Sequence, residues 1–268
     1  MNNRGIGPRE RPDDAHGDTG SIVRPSSPVP FPDSMGNDGF RPVVVPHRRT
    51  FPRTGVKREP QLVRDALFTV FREGTLHIFS EDYSYKSRSY YMILRYELEG
   101  RKVRPSSSVV LDAYVVPLCL ERAGLAGIPV CTWEISQAYV PLPAIVYGLN
   151  YFATSSDFFV ARNARDAKDI VRHVTNRGKY PFCYQKIGED ATIHSCTAVF
   201  GEISDTCEAV APIAAKIYEL FEIPLVRMIV VRDARGYALS SLAPARYADL
   251  SGPEHKNLIS RIVGQEHL

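Results

Sequence analysis

The residues best suited to chemistry concentrate in one run, Leu76-His77-Ile78-Phe79-Ser80-Glu81-Asp82-Tyr83-Ser84-Tyr85-Lys86-Ser87-Arg88-Ser89-Tyr90-Tyr91-Met92. An apolar strand leads straight into hydroxyls, carboxylates, tyrosines and cations, a set that can hold a small polar or anionic ligand. A helix opening here leaves its first N–H groups unpaired and turns its positive dipole end toward the turn. Asp82, Tyr83, Tyr85, Ser87 and Arg88 are therefore the candidate ligand-binding residues. Ser80, Ser84, Ser87 and Arg88 cluster where an anion would be stabilised, and the tyrosines serve as amphipathic walls. The competing use of the same residues is architectural, with Asp82 or Ser84 capping the helix and the tyrosines packing on a neighbouring layer.

Other reactive groups are scattered. Glu189, Asp190 and His194 read as a solvated turn beside a strand, with His194 pointing outward in alternation with Ile193. The five cysteines, Cys119, Cys131, Cys183, Cys196 and Cys207, are odd in number and lack C-x-x-C spacing, so they read as reduced thiols, mostly core filler. Cys131 or Cys183 as a nucleophile would need a histidine base, and the seven histidines offer no recognisable pairing. The sequence has no G-x-S-x-G elbow, no phosphate-binding G-x-x-x-x-G-K-[ST] loop and no H-E-x-x-H helix. No catalytic residue and no metal ligand is assigned.

The elements that must position the turn follow from composition and periodicity. With 268 residues, 44% hydrophobic, the chain can bury one substantial core, or one core with a smaller satellite. A net charge of +3 without a basic, aromatic-interleaved stripe argues against a nucleic-acid partner. No apolar run approaches the roughly 20 residues of a bilayer span, and the amino terminus lacks the apolar segment of a secretory signal. A cytoplasmic protein with no membrane partner is expected.

Residues 1–58 carry nearly half of the 20 prolines and no periodic apolar pattern, and are expected to be a disordered Pro/Arg-rich tail. Within it, Phe40 to Pro46 and His47-Arg48-Arg49 offer a docking segment. Residues 59–268 are expected to form a single domain. Leu62, Ala66, Leu67, Val70 and Phe71 fall at helical spacing, and Thr75 to Phe79 is a short buried strand. Ser87 to Glu99 is a helix, with Tyr91, Leu94 and Leu98 on one face and Gly100 at its end. Lys102 to Pro105 returns as a strand, making 75–105 a right-handed parallel strand–helix–strand unit that begins a doubly wound sheet.

Further along, the pattern predicts an apolar helix from Val109 to Ala126, an aromatic-rich segment from Pro129 to Phe159, and a helix from Ala164 to Asn176. Strands at Phe182–Ile187 and Ile193–Phe200 follow, then an amphipathic helix from Thr206 to Phe221 stopped by Pro224. Leu225 to Arg232 and Tyr237 to Leu242 form a hairpin about Asp233-Ala234-Arg235-Gly236, and a helix from Gly252 to Val263 closes the domain.

Two blocks resemble the RLAN domain, the region preceding the catalytic half in a class of RimK-like ATP-grasp ligases. The first runs from Phe79 through the tyrosine-rich turn to Tyr91, then Glu97-Leu98-Glu99-Gly100-Arg101-Lys102-Val103-Arg104-Pro105-Ser106 to Leu111-Asp112. It is similar to that family's "Tyr-x-Tyr/Leu-x-Ser-x-x-Tyr-Tyr" helix start and "Glu-x-x-Gly-x-x-x-x-Pro-Ser" exit. The second is Ala198-Val199-Phe200-Gly201, then Ala211 to Phe221, Pro224-Leu225 and the hairpin to Ser240-Ser241-Leu242. The matches cover roughly 75–125 and 190–263, about half of the chain.

In the family, an ATP-grasp region with phosphate-binding lysines and acidic magnesium ligands follows this domain, whereas this sequence stops at Leu268. Residues 127–188 form an insert longer than the family's link. The insert has a faint look of an ATP-grasp opening, in Gly127-Ile128-Pro129-Val130, Ala167 to Val171, and Lys179-Tyr180-Pro181-Phe182-Cys183-Tyr184-Gln185-Lys186. The expected lysine sits one residue closer to the proline than Lys186 does, and no later magnesium-ligand segment is present.

The expected fold is α/β, a mainly parallel sheet flanked by helices with a C-terminal antiparallel hairpin. The resemblance implies a stand-alone RLAN-type module, without a cofactor of its own, that binds a small polar or anionic ligand and serves a separately encoded ATP-grasp ligase. The alternatives are an ATP- and Mg-dependent carboxylate–amine ligase, with the insert completing a nucleotide site and a groove, and an adaptor acting through the tail.

Overall fold

A computed structural model describes residues 60–203 and 209–263, all within one compact unit that begins at Val56. The 1–58 tail and Cys207 lie outside the described residues.

The chain opens with a hairpin. β1 (Phe68–Arg72) and β2 (Thr75–Phe79) pair antiparallel, Phe68 facing Phe79 and Arg72 facing Thr75. The turn between them places Glu73 and Gly74 at φ of 46° and 74°, the two-residue geometry whose twist matches that of the strands. After the tyrosine-rich turn, α1 (Arg88–Leu98) crosses to β3 (Lys102–Arg104), which lies parallel to β2 with Leu76 opposite Val103. α2 (Ser107–Tyr114) and α3 (Val116–Leu125) follow as separate helices.

The insert forms its own sheet. β4 (Trp133–Ser136), β5 (Ala144–Gly148), β6 (Phe158–Ala161) and β7 (Phe182–Lys186) are ordered β4-β7-β5-β6, every pair antiparallel, with α4 (Ala164–Val174) between β6 and β7. A third sheet, ordered β10-β9-β8, contains β8 (Thr192–Val199), β9 (Leu225–Asp233) and β10 (Gly236–Ala243). α5 (Ala211–Phe221) joins β8 to β9, and α6 (Gly252–Val263) follows a 3-10 turn at Tyr247–Asp249. The insert is stitched to the hairpin at its entry, where Cys131 N–H donates to Leu239 O at 3.0 Å and Leu239 N–H to Pro129 O at 2.8 Å.

The main core gathers Ile78, Tyr83, Ile93, Leu120, Ile145, Tyr147, Ile217, Phe221, Met228 and Leu242. It therefore spans all three sheets, and each such side chain contributes about 1.5–3 kcal/mol of burial. A second cluster, Val146, Phe182, Tyr184, Ala167 and Val174, packs α4 onto the insert sheet. A third, Phe79, Val199, Leu225, Tyr247, Leu258 and Ile262, joins the first hairpin to α6.

The mainly parallel sheet is not what forms. β2–β3 is the parallel pair among named strands, and the remaining pairings are antiparallel. β3 is three residues long and feeds two helices instead of another crossover strand, so the winding stops after one unit. The helix expected at 62–71 is replaced in its second half by β1, whose alternating burial puts Phe68 and Val70 inward and Phe71 out. Aromatic and β-branched content beside a tight turn outweighs the helical spacing. The Val109–Ala126 helix breaks at Val115, extended at φ −99° and ψ 103°, because Pro117 can occupy only a helix's first turn. α1 buries Ser89, Tyr90 and Ile93, leaving Tyr91 and Leu98 exposed. α5 ends on Glu222 in the left-handed region, at φ 52°, before Pro224 is reached. Among the described residues no helix is long and apolar enough to cross a membrane.

Candidate functional site

The tyrosine-rich turn divides into an inner and an outer half. In the inner half, Ser80 N–H donates to Tyr83 Oη at 2.9 Å, and that hydroxyl donates to Ile78 O at 2.9 Å. Tyr83 is wholly buried, and burial pushes its phenol well above the usual tyrosine range. Asp82 Oδ1 accepts Ser84 N–H at 2.7 Å, and Asp82 O accepts from the hydroxyls of Ser80 and Ser89. Ser87, extended at φ −65° and ψ 162°, caps α1 by accepting Tyr90 N–H at 3.1 Å. The helix cap is thus Ser87, and neither Asp82 nor Ser84 fills that position.

Glu81, which the sequence gave no reason to single out, is the clamp of this half. It is buried, and its two carboxylate oxygens accept Asp65 N–H at 2.8 Å and Tyr247 N–H at 2.6 Å. One side chain ties the segment before β1 to the segment after β10, and it fixes where the turn leaves the core.

The outer half faces solvent. Tyr85 is 57% exposed and packs edge-on against Tyr90, ring centroids 5.3 Å apart. Lys86 holds a left-handed backbone, φ 68°, and its Nζ lies 5.5 Å from the Tyr85 centroid and 4.2 Å from that of Tyr151. Tyr151 meets Phe152 edge-on at 5.3 Å, and both are exposed. Arg88 is exposed at the first position of α1.

The loop bearing Tyr151 joins β5 to β6. Asn150 pins it, donating from Nδ2 to Val174 O at 3.0 Å and accepting Phe152 N–H on Oδ1 at 2.8 Å. The turn and the insert therefore do meet, through a cation placed against two rings. Of the five candidates, Tyr83 and Ser87 spend their polar atoms on the fold, Asp82 spends one oxygen, and Tyr85 and Arg88 stand outward. Sequence reasoning passed over Lys86. The available signal was a lysine directly after the last tyrosine of the turn, and an adjacent aromatic pair, Tyr151-Phe152, in the insert.

A second polar cluster lies where the insert sheet packs on the C-terminal hairpin. Tyr147 Oη is 2.7 Å from Ser240 Oγ and donates to Ser241 Oγ at 3.0 Å. Ser240 Oγ donates to Gln185 Oε1 at 2.6 Å, Gln185 Nε2 donates to Ser240 O at 2.7 Å, and Ser241 Oγ donates to Ser155 O at 3.1 Å. All of these residues are buried, and burial pushes the Tyr147 phenol up. The register shift between Leu239 and Ser241 turns both serines toward the insert. Nearby, Tyr184 donates to Glu134, and that bond first, then burial, pushes its hydroxyl up to about 12.

The remaining sequence candidates stay apart. Glu189 and Asp190 line a cavity of about 420 Å³ with Arg232, Asp233 and Arg235. His194, exposed as expected, sits 2.8 Å from Thr192 Oγ1 beside a cavity of about 580 Å³. Cys119, Cys131 and Cys183 are buried, and burial pushes each thiol up to about 12, so they are neutral core side chains at ordinary pH. Among the described residues no three His, Cys, Asp or Glu side chains gather to hold a metal ion.

No family model matches the chain, and no curated protein matches it. Among solved structures, the chain is similar to a RimK domain ATP-grasp protein from Sphaerobacter thermophilus DSM 20745, with 13% identity over 66% of this chain and 77% of that one and a TM-score of 0.50. The ATP-grasp ligase PsnB, in complex with a minimal precursor variant, Mg and ADP, gives 17% identity over 65% and 67% of the two chains and a TM-score of 0.46. N5-carboxyaminoimidazole synthetase from Staphylococcus aureus gives 12% identity over 72% and 60% and a TM-score of 0.47. At these identities the likeness is one of fold, a mixed α/β arrangement shared with an ATP-grasp protein.

Proposed function

We propose that this chain is the recognition part of an ATP-grasp ligation system, an RLAN-type module that holds a small polar or anionic ligand at the outer half of the Ser80–Tyr91 turn and serves a separately encoded ATP-grasp ligase. The observation that carries this reading is Lys86 held between Tyr85 and Tyr151, 4.2 Å from the second ring, with Arg88 exposed two residues along the chain. A cation resting on two aromatic rings, with a second exposed cation nearby in the chain, attracts a carboxylate or phosphate. The oxygen of Asp82 that Ser84 does not use can take a donor from the same ligand. The fold likeness to a RimK domain ATP-grasp protein supports the ligation context.

Thermal-shift and calorimetric titration of the full chain with nucleotides, amino acids and short peptides test it. An anionic member of the panel is expected to bind, and Lys86→Ala and Arg88→Ala are each expected to weaken it about tenfold, the loss of one charge-assisted contact. Absence of binding across the panel overturns the reading.

A second reading, ATP-dependent carboxylate–amine ligation by the chain itself, is favoured by one observation. The insert is a folded four-stranded sheet docked on the hairpin, within a chain that spans 77% of the RimK domain protein's length. Lys179 and Lys186 are exposed cations of that insert able to meet a polyphosphate. The described residues offer no convergent acidic set for magnesium, so no metal-dependent step is derived. Phosphate release by the isolated chain in the presence of ATP and an amino-acid or peptide acceptor would favour this reading over the first.

A further inference from the structure

The first sheet gathers cations on one face. Residues two apart on a strand share a side, and the pairing of His77 with Arg104 and of Thr75 with both Arg72 and Lys102 sets Arg72, His77, Lys102 and Arg104 on the same face. The far end of that face carries Phe68, Val70 and Phe79 into the third core cluster. A ring of contacts then closes around the cations. Arg72 donates to Arg261 O, Arg261 lies 5.0 Å from the Phe200 ring centroid, and Phe200 packs edge-on against Tyr218 at 5.8 Å. Tyr218 O accepts Glu222 N–H at 2.8 Å, and the Glu222 carboxylate returns to Arg104 at 3.3 Å. Side chains from β1, β2, β3, α5 and α6 thus meet in one place.

Glu222 pairs with Arg104, and Glu202 with Arg261 at 3.4 Å. Among the described residues Arg72 has no carboxylate partner, and its Nε is buried without a hydrogen bond. A buried donor left unbonded costs about 1–3 kcal/mol and calls for an acceptor. The Tyr218 hydroxyl and the His77 ring are also unbonded among the described residues. Burial pushes the Tyr218 phenol up, while Arg261, Arg104 and Arg72 all pull it down, so three guanidinium charges converge on one hydroxyl. We propose that this face is a phosphate site, in which Arg72, Arg104 and Arg261 hold a phosphate or phosphoryl group and Tyr218 and His77 donate to its remaining oxygens. Guanidinium groups are the preferred partners of phosphate. Donors drawn from three strands and two helices do not share a plane, which suits a tetrahedral oxyanion better than a flat carboxylate. The site shares no residue with the outer half of the Ser80–Tyr91 turn and is independent of the reading proposed for it.

Calorimetric titration of the full chain with inorganic phosphate, up to about 10 mM at fixed ionic strength, tests the site. Glycerol 3-phosphate as a second titrant separates free phosphate from a phosphomonoester, and the tighter of the two names the source. Saturable binding of at least one is expected. Arg104→Gln removes a partly exposed guanidinium and is expected to weaken that binding about tenfold, and Tyr218→Phe about threefold, the loss of a charge-assisted and of a neutral donor. Glu222→Gln frees Arg104 from its carboxylate and is expected to strengthen binding about threefold, a gain that a misfolded variant would not give. Lys86→Ala is expected to leave the affinity unchanged, which keeps this site distinct from the turn. No saturation with either titrant, an affinity untouched by Arg104→Gln, or binding lost in Lys86→Ala overturns the proposal, and acetate competing as strongly as phosphate overturns the choice of a tetrahedral anion.

Discussion

The inner half of the tyrosine-rich turn and the junction between insert and hairpin use the same vocabulary of tyrosine and serine hydroxyls with one longer polar side chain, Glu81 in one and Gln185 in the other. In both places these groups are buried and each is bonded within the protein. The outer half of the turn, a few residues away, leaves Tyr85, Lys86 and Arg88 facing water. Residue type therefore does not separate architecture from recognition here. What separates them is whether the polar atoms are already spent on the fold.

Alkali should bring down both buried clusters together, and this is the largest effect expected. Burial holds the Tyr83 and Tyr147 phenols above their ordinary value of 10.0, and the Cys119, Cys131 and Cys183 thiols at about 12 against an ordinary 9.0. Below about pH 8 the native and unfolded states bind these protons equally. Above it the unfolded chain releases them first, so stability falls by up to about 1.4 kcal/mol per pH unit for each group until its folded pKa is passed. Urea midpoints measured from pH 7 to 11 should be flat with respect to these groups to about pH 8 and decline after it, most steeply above about pH 9. A midpoint that holds steady to pH 11 would mean that the hydroxyls and thiols are not sealed from solvent.

Glu81→Ala comes next. It orphans the N–H groups of Asp65 and Tyr247, at about 1–3 kcal/mol each, and should lower unfolding free energy by roughly 3 kcal/mol in denaturant titration. The junction's counterpart, Gln185→Leu, strands the Ser240 hydroxyl and carbonyl. Other partners remain within reach of the hydroxyl, so the expected loss is smaller, about 2 kcal/mol. An equal or larger loss at Gln185 would make the junction the chief polar lock of the fold.

β2, β3, β7, β8, α4, α6, the C-terminal hairpin and the Ser87–Gly100 helix were legible because each is set by local pattern and punctuation, whereas β1, read at helical spacing, and β4, β5 and β6, around the aromatic-rich segment, were not. Gly100, at φ 76°, ends α1 as expected. The sheet arrangement was not legible, because nothing local reveals that β7 inserts between β4 and β5, or that β3 ends its sheet. The turn was visible as a cluster of chemistry, but its division was not. Tyr83 and Tyr85 look alike in sequence, and only tertiary packing sends one into the core and the other out. Gly201 shows the same limit from the other side. Its φ of 77° and the 2.8 Å between a built Cβ and Tyr218 Cβ make it a close-approach glycine, which a lone Phe-Gly dipeptide does not announce.

The finest test of the comparison is Lys86→Gly. Lysine at φ 68° carries about 1 kcal/mol of left-handed strain that glycine relieves. Set against this are the added freedom of glycine in the unfolded chain and the loss of a cation–π contact worth about 0.5–1 kcal/mol at an exposed site. The three terms nearly cancel, so denaturation midpoints should move by no more than about 0.5 kcal/mol, while affinity for the anionic ligand found by titration should fall about tenfold. The two readouts separate because Lys86 rests on Tyr85 and Tyr151, which are both exposed, 57% and 59%, and hold no part of the core. A loss of 2 kcal/mol or more would show that Lys86 is itself spent on the fold, joining turn to insert as Glu81 joins the two ends of the domain, and the outer half would then be architecture as well.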